Sequence, residues 1–357
     1  MIAFSIIGGS SFRAQYYLRI AQALPKLFQI CGMVVRNEDK GQELEKTWNV
    51  STYRTLEQLL EKENPNFIVV SVSGSMIPSF LLRLGELGIP ALSETPPAPN
   101  LEALIDLHEK LTCKGAKIQV AEQYHLHPVQ QARLSLIKSG RLGNVTQATV
   151  SISHFYHGVS LLRRMLGIGF EEATIKGMHF SAPITSGPDR SGPPKEEKLI
   201  NAERDLAWLD FGDKLGIYDF TKDQHRSWIR SNHLSVRGDR GEIFDNRLTY
   251  LADYTTPIYS DLKRINKGEE ENQEGYYLEG ILSGNHWIYR NPFFPARLYD
   301  DELAIAECLV KMSEYMAQGT SFYSLAEASQ DQYLGLMIEK AIRTQEAIRT
   351  SRQPWAE

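Results

Sequence analysis

Apolar positions along the chain fall into two regimes. From residue 2 to about residue 121, short wholly apolar runs alternate with helical segments. Ile2-Ala3-Phe4-Ser5-Ile6-Ile7 reads as a buried strand closed by Gly8-Gly9-Ser10-Ser11. Phe12 to Leu24 then reads as a helix with Tyr17, Ile20, Ala21 and Leu24 on one face. A second apolar run, Phe28 to Val35, completes strand, glycine turn, helix and strand within about 35 residues, the size of one βαβ unit. The same alternation predicts helices over Glu38–Trp48, Leu56–Glu61, Pro78–Leu87 and Leu101–Leu111, and strands over Phe67–Val72, Ile89–Ser93 and Lys117–Ala121. Such spacing specifies a parallel, doubly wound sheet, which binds ligands beyond the carboxyl ends of its strands. Gly8, Arg36, Ser73, Gly74 and Glu94 fall on that edge.

After residue 121 the pattern changes. His127-Pro128 opens a helix that Gly140 closes, with proline in the first turn. Gln147 to Tyr156 alternates like a half-exposed strand, and His157 to Leu166 is helical up to Gly167. Two stretches read as long loops, the Pro/Gly/Ser-rich residues 181–197 and the charged Lys263–Glu274. Trp208–Phe211, Leu215–Phe220 and His233–Val236 are predicted as antiparallel strands, Ala304–Met316 and Ala326–Ile348 as helices. The fold class is therefore α/β: an N-terminal Rossmann-like sheet followed by an α+β part with a large open, mostly antiparallel sheet. The expected division is 1–121, 122–325, and a helical tail, 326–357, packing back on the body.

The length of 357 residues suits about two domains, and a net charge of −5 argues against nucleic acid as a partner. Cys31, Cys113 and Cys308 are widely spaced, which fits a reducing compartment and no structural metal. The apolar start lacks a basic leader and breaks at the glycines, and no run approaches a membrane span. The expectation is a cytosolic protein acting on a small molecule.

The turn after the first strand is a partial dinucleotide fingerprint. A full G-x-G-x-x-G would need glycine at Gly8, Ser10 and Arg13, and only the first is met. The backbone of Gly8, Gly9, Ser10, Ser11 and Phe12 still opens a helix, where N–H groups favour a phosphate. At the end of the second strand Val35-Arg36-Asn37 offers an arginine where NAD-binding chains carry an acid, which favours NADP(H) over NAD(H), with Arg13 as a second cation.

With these landmarks the chain resembles the Gfo/Idh/MocA family of NAD(P)-dependent oxidoreductases, which act mainly on sugars and polyols. The resemblance rests on the N-terminal unit and on Gly88 through Glu94-Thr95-Pro96, similar to the family's E-K-P. It also rests on Tyr124–Pro128 with the helix to Gly140, and on His157 ten residues before Gly167. Arg240-Gly241-Glu242-Ile243 and the tail near Pro354-Trp355 extend it over nearly the full length. It implies that His157 is the proton-transfer group, that Thr95 stands where the family has its lysine, and that Ser153 and Ser160 stand at frequent aspartate positions. His157 then serves as general acid/base, or packs as a helix-start histidine. Tyr156 is a candidate for the missing acid, although strand alternation sets it opposite His157. Ser153, His154, Ser160 and Arg164 are the candidate substrate contacts, and His125 and His127 lack the further ligands a metal would want. The same fold without redox chemistry would leave a nucleotide- or metabolite-binding protein. Aromatic residues between 208 and 299 suit a sheet-face interface, so a homodimer or higher homo-oligomer is expected.

Overall fold

The computed structural model describes residues 1–9, 11–268 and 276–356. The first unit runs β1 (Ile2–Ile7), α1 (Phe12–Ala23), β2 (Phe28–Val34), α2 (Glu38–Trp48), β3 (Thr52–Tyr53), α3 (Leu56–Lys62). It continues β4 (Phe67–Val70), α4 (Ile77–Glu86), β5 (Ala91–Ser93), α5 (Leu101–Cys113), β6 (Ile118–Val120). Among the described residues these strands form a six-stranded sheet in the order β3-β2-β1-β4-β5-β6, every neighbouring pair parallel. The order reverses direction between β1 and β4, so the crevice of this doubly wound sheet opens where Gly8-Gly9 and Ser73-Gly74 end those two strands. All of Phe4, Ile6, Phe67 and Val69 are fully buried, as strands covered by helices on both faces require.

The chain continues through a 3₁₀ turn (Tyr124–Leu126), α6 (Pro128–Lys138), β7 (Val145–Ser151), α7 (Phe155–Leu166), β8 (Thr174–Thr185), β9 (Leu199–Asp210) and β10 (Leu215–Thr221). Next are β11 (His233–Gly238), β12 (Gly241–Phe244), β13 (Arg247–Leu251), β14 (Pro257–Lys267), β15 (Tyr277–Ser283) and β16 (His286–Arg290). Helices α8 (Asp300–Gln318) and α9 (Leu325–Thr344) and the short β17 (Ile348–Arg349) complete it. Among the described residues the second sheet has eleven strands, ordered β16-β15-β14-β13-β12-β11-β7-β10-β9-β8-β17. It is antiparallel except where β7 meets β10, which departs from the all-antiparallel expectation for Leu215–Phe220. Inward residues such as Ala148, Val150, Ala207, Leu209 and Tyr218 are buried beneath α7 and α9. Among the described residues nothing covers the outward row: Met178, Phe180, Trp208, Phe244 and Tyr259 are exposed on one face.

Several boundaries differ from expectation. Residues 181–185 belong to β8, so the loop is confined to 186–198. Pro183 fits because β17 reaches only the start of β8, leaving an edge where its missing N–H is harmless. Lys263–Lys267 is strand, not loop, its charges facing outward, and residues 269–274 of that stretch lie outside the described residues. The strand expected to run to Tyr156 stops at Ser151, and the helix expected to reach Ile348 ends at Thr344. α8 and α9 return to the first sheet. Arg19 of α1 meets Glu302 of α8 at 2.5 Å, and the Val120 amide donates to the Tyr323 carbonyl.

Candidate active site

Local chemistry shapes the turn after β1. Gly8 has φ +106°, and a side chain there would run into the carbonyl of Ser71, the residue after β4, so only glycine lets the two strand ends close up. Ser11 caps α1, its Oγ accepting from the Ala14 amide at 3.0 Å and lying 3.0 Å from Ser71 Oγ. Beyond β4 the crevice is open: a Cβ built on Gly74 would meet nothing within 4 Å. Phe12 is 55% exposed, and Arg190, from the loop joining β8 to β9, lies over its ring at 4.8 Å. Ser10 lies outside the described residues.

Arg13 turns inward instead of toward the crevice mouth. Its Nε donates to Glu94 Oε2 at 2.9 Å, while Tyr17 donates to Glu94 Oε1 at 2.5 Å. Burial would lower the Arg13 pKa, but the Glu94 carboxylate overrides it and the net shift is upward. Glu94 is thus tied to α1. Arg36 is exposed at the end of β2. Beside it Arg54 donates to the Val35 carbonyl at 2.5 Å and pairs with Glu38 at 2.9 Å, a second cation that sequence inspection did not single out.

The candidate acid–base residues gather around His157. Strand β7 ends at Ser151, the chain bends at Ile152–His154, and Phe155 takes φ +25°. The Phe155 amide donates to the Tyr218 hydroxyl of β10 at 2.9 Å, and a Cβ at Gly158 would press against the Tyr218 ring at 2.8 Å. This bend moves Tyr156 off the strand, so it flanks His157 with ring centroids 4.3 Å apart. Alternation had set it on the opposite side. His157 Nδ1 lies 2.5 Å from Glu122 Oε2, both side chains buried. Glu122 Oε1 accepts from the Tyr124 amide at 3.0 Å, and the Tyr124 ring stacks on His157 at 4.4 Å. His154 stands 5.1 Å from the His157 ring and 3.4 Å, Nε2 to hydroxyl, from Tyr156. The Thr95 hydroxyl faces the Tyr156 phenol and favours its ionised form. Ser153 and Ser160 are fully buried; their hydroxyls act on Tyr124 and Glu122 without meeting the geometry of a hydrogen bond.

Burial dominates the electrostatics. It pushes Glu122 up to about 7 and His157 well below its ordinary value, with the Arg13 charge lowering both. Tyr156 is pushed up to about 12 by burial and by Glu122. His154 is lowered to about 4 by burial and by His157. Burial thus favours neutral His154 and His157 and a protonated Tyr156 phenol, and raises the Glu122 carboxyl to about 7.

Of the residues singled out from sequence, Thr95, Ser153, His154, Tyr156, His157 and Ser160 come together. Gly8, Gly9, Ser11, Phe12, Ser73 and Gly74 line the crevice edge, with Arg13 and Glu94 paired behind it. Arg164 does not join them: it pairs with Glu327 at 2.7 Å and lies over the Tyr323 ring at 4.8 Å. Its place seven residues along α7 carries it two turns away from His157. The two histidines of His125 to His127 also separate, His127 contacting Asp301 at 3.1 Å and His125 stacking on Tyr323 at 5.1 Å. Sequence inspection missed Glu122, Tyr124 and Asp301. The signal for Glu122 was its place just past β6, on the ligand-binding edge of the sheet.

A parallel sheet with a dinucleotide-type switch point, followed by a large antiparallel sheet, defines the class: a Rossmann-type protein with a second α+β part. Residues 2–122 match the model of the Gfo/Idh/MocA family, described as an oxidoreductase family with an NAD-binding Rossmann fold. No curated protein matches the sequence. Solved structures match over almost the whole chain. One is an oxidoreductase from Agrobacterium radiobacter in complex with NAD+, L-tartaric acid and magnesium, 13% identical, covering 97% of this chain and 98% of that one, TM-score 0.69. Another is a myo-inositol dehydrogenase from Corynebacterium glutamicum, 12% identical, covering 99% and 100%, TM-score 0.67. A levoglucosan dehydrogenase in complex with NADH and levoglucosan is 13% identical, covering 98% and 99%, TM-score 0.69. At such identities the likeness shows the fold.

Proposed function

We propose that the chain is an NAD(P)-dependent oxidoreductase acting on a sugar- or polyol-like hydroxyl, with His157 as its proton-transfer group. The observation that carries this is the buried His157–Glu122 contact, flanked by Tyr156 and Thr95 beside the strand edge. A packing histidine has no need of a buried carboxylate whose ionisation is moved to about 7, the value a general base wants.

The residues fit a dinucleotide. The Gly8 turn, the Ser11-capped helix start and the open space beyond Gly74 form the cradle, and Arg190 overhangs it. Bound there, a nicotinamide would give or accept the hydride. The protein's own part is to hold the hydroxyl, strip its proton and supply positive charge where oxygen becomes anionic. His157 takes the proton and Glu122 receives it from the ring's far side; Tyr156, protonated and supported by Thr95, donates a hydrogen bond to the oxygen. Thr95, standing where the family has its lysine, offers the oxygen a hydroxyl and no charge, and Arg13 behind it is paired with Glu94. Arg36 and Arg54 at the end of β2 support NADP(H) as the preferred form. The exposed aromatic row on the second sheet supports a homodimer through that face.

One observation favours the second reading, a nucleotide-binding protein without redox chemistry: Thr95 carries no charge, and the Arg13 cation is committed to Glu94. Assay of NAD(P)-linked turnover on a panel of sugars, polyols and inositols separates the two. His157→Ala is expected to lower kcat by about a hundredfold or more while nucleotide affinity stays unchanged. Nucleotide binding without turnover on any panel member, in the native protein and in Thr95→Lys, would establish the second reading.

A further inference from the structure

Arg164 and His125, which the reaction centre leaves unused, line a different cavity. A cleft of about 740 Å³ opens between α6, α8 and β16, with the end of α7 at its base. That volume lies in the range of small-molecule sites, about 300–1,000 Å³. Lys138, Arg164, Arg290 and Lys311 bring four cations to it, against the carboxylates of Glu307 and Glu314 in its lining and of Glu327, which pairs with Arg164 at 2.7 Å. This positive excess sits on a chain of net charge −5.

The carboxylates do not balance the cations. Glu307 takes a hydrogen bond from Gln131 at 2.5 Å and lies 3.5 Å from Lys311, and burial pushes its carboxyl toward the neutral form. The guanidinium of Arg290 rests 4.5 Å over the Trp287 ring, not on an acid, and Lys138 is exposed at the last turn of α6. At the floor, His125 is only 8% exposed and its Nδ1 has no hydrogen-bond partner. A buried polar nitrogen left unmatched destabilises the fold, so its place at this floor calls for an explanation. Burial first, then Arg164 and Lys311, hold this imidazole neutral. The cleft is separate from the reaction centre. Within one 3₁₀ turn the Tyr124 ring stacks on His157 on one side, and the next residue, His125, faces the cleft on the other.

We propose that this cleft is a second binding site, for a small polyanion bearing two or more oxyanion charges, either a phosphate ester or a polycarboxylate. Lys138 and Arg290 grip the charges at the mouth, Arg164 and Lys311 supply the field below them, and the neutral His125 forms the floor. Occupancy relieves the mutual repulsion of the cations, which at physiological salt extends about 8 Å.

Calorimetric titration of the full-length protein at constant ionic strength, with inorganic pyrophosphate and with citrate as separate probes, tests this. One saturable site per chain is expected, with affinity at least tenfold weaker in Lys138→Gln/Arg290→Gln. Pyrophosphate alone binding in that way marks the phosphate class, citrate alone the polycarboxylate class, and both the shared chemistry. Pyrophosphate attracted to the Gly8 turn instead would bind the double variant as tightly as the native protein, and that result overturns the proposal. So does the absence of saturable heat with either probe. Both substituted side chains are exposed, and the single variants, each expected to weaken binding by a smaller factor, repeat the test should the double variant melt early. Failure here leaves the nucleotide assays untouched, because no residue of the Gly8 turn or of the His157 cluster is altered.

Discussion

Glu122→Gln separates the catalytic cost of the buried pair from its structural cost. Between pH 4.5 and about 7 an unfolded carboxyl has released its proton while the buried Glu122 still holds it. The native state therefore binds more protons, and stability falls as pH rises across that window. A carboxyl moved from 4.5 to about 7 destabilises the native protein by about 3 kcal/mol once the pH exceeds 7. Glutamine keeps an acceptor for the Tyr124 amide and can donate to His157 Nδ1, and it carries no charge to bury. The variant is thus expected to gain about 1–3 kcal/mol over the native protein at pH 8 and to match it near pH 5. Urea unfolding at the two pH values measures this. On the proposed function, alcohol oxidation by the native protein is expected to rise with pH about a centre near 7, and the variant is expected to lose that rise. A stability difference that is the same at pH 5 and pH 8 would refute this account of Glu122, whatever happened to the rate.

Three further outcomes follow. Arg36→Ala is expected to weaken NADP+ binding about tenfold while barely changing NAD+, as read by calorimetry, and tighter native binding of NAD+ would reverse the assignment. Asp331→Ala leaves Arg163 buried without the carboxylate 2.5 Å away and is expected to cost roughly 3–5 kcal/mol, measured as a lowered denaturation midpoint. Light scattering at micromolar concentration should give a mass near twice the chain's 40.5 kDa, and Trp208→Glu on the outward sheet row should return it to the monomer value.

The first half of the fold was legible because its signals are local. Strands β1, β2 and β4 are nearly pure apolar runs, and α2 runs from Glu38 to Trp48 as its polar pattern and flanking Asn37 cap indicate. The second half was less so. Residues 181–185 look like a loop by composition, and only pairing with β9 makes them strand. The reaction centre was half legible. His157 stood out by its spacing from Gly167, yet the placement of Tyr156 depends on a bend held by Tyr218, sixty-three residues further along. Glu122 could not be matched to His157 from sequence, since their contact spans thirty-five residues and two different elements. Arg164 misled for the opposite reason: helical spacing set its azimuth correctly but not its distance along the axis.

The Arg13–Glu94–Tyr17 cluster has a consequence for how such a site changes over time. Arg13 occupies the third glycine position of the fingerprint, and its charge is committed to the one carboxylate of the Glu94-Thr95-Pro96 turn. Reverting Arg13 to glycine alone would strand a buried carboxylate, and restoring a lysine at Thr95 alone would add a second cation to a carboxylate already neutralised. Each single step toward the common pattern crosses a less fit intermediate, whereas the pair of changes made together conserves charge. The charges at the two positions are coupled through Glu94, and chains that share Arg13 are expected to lack the lysine as well.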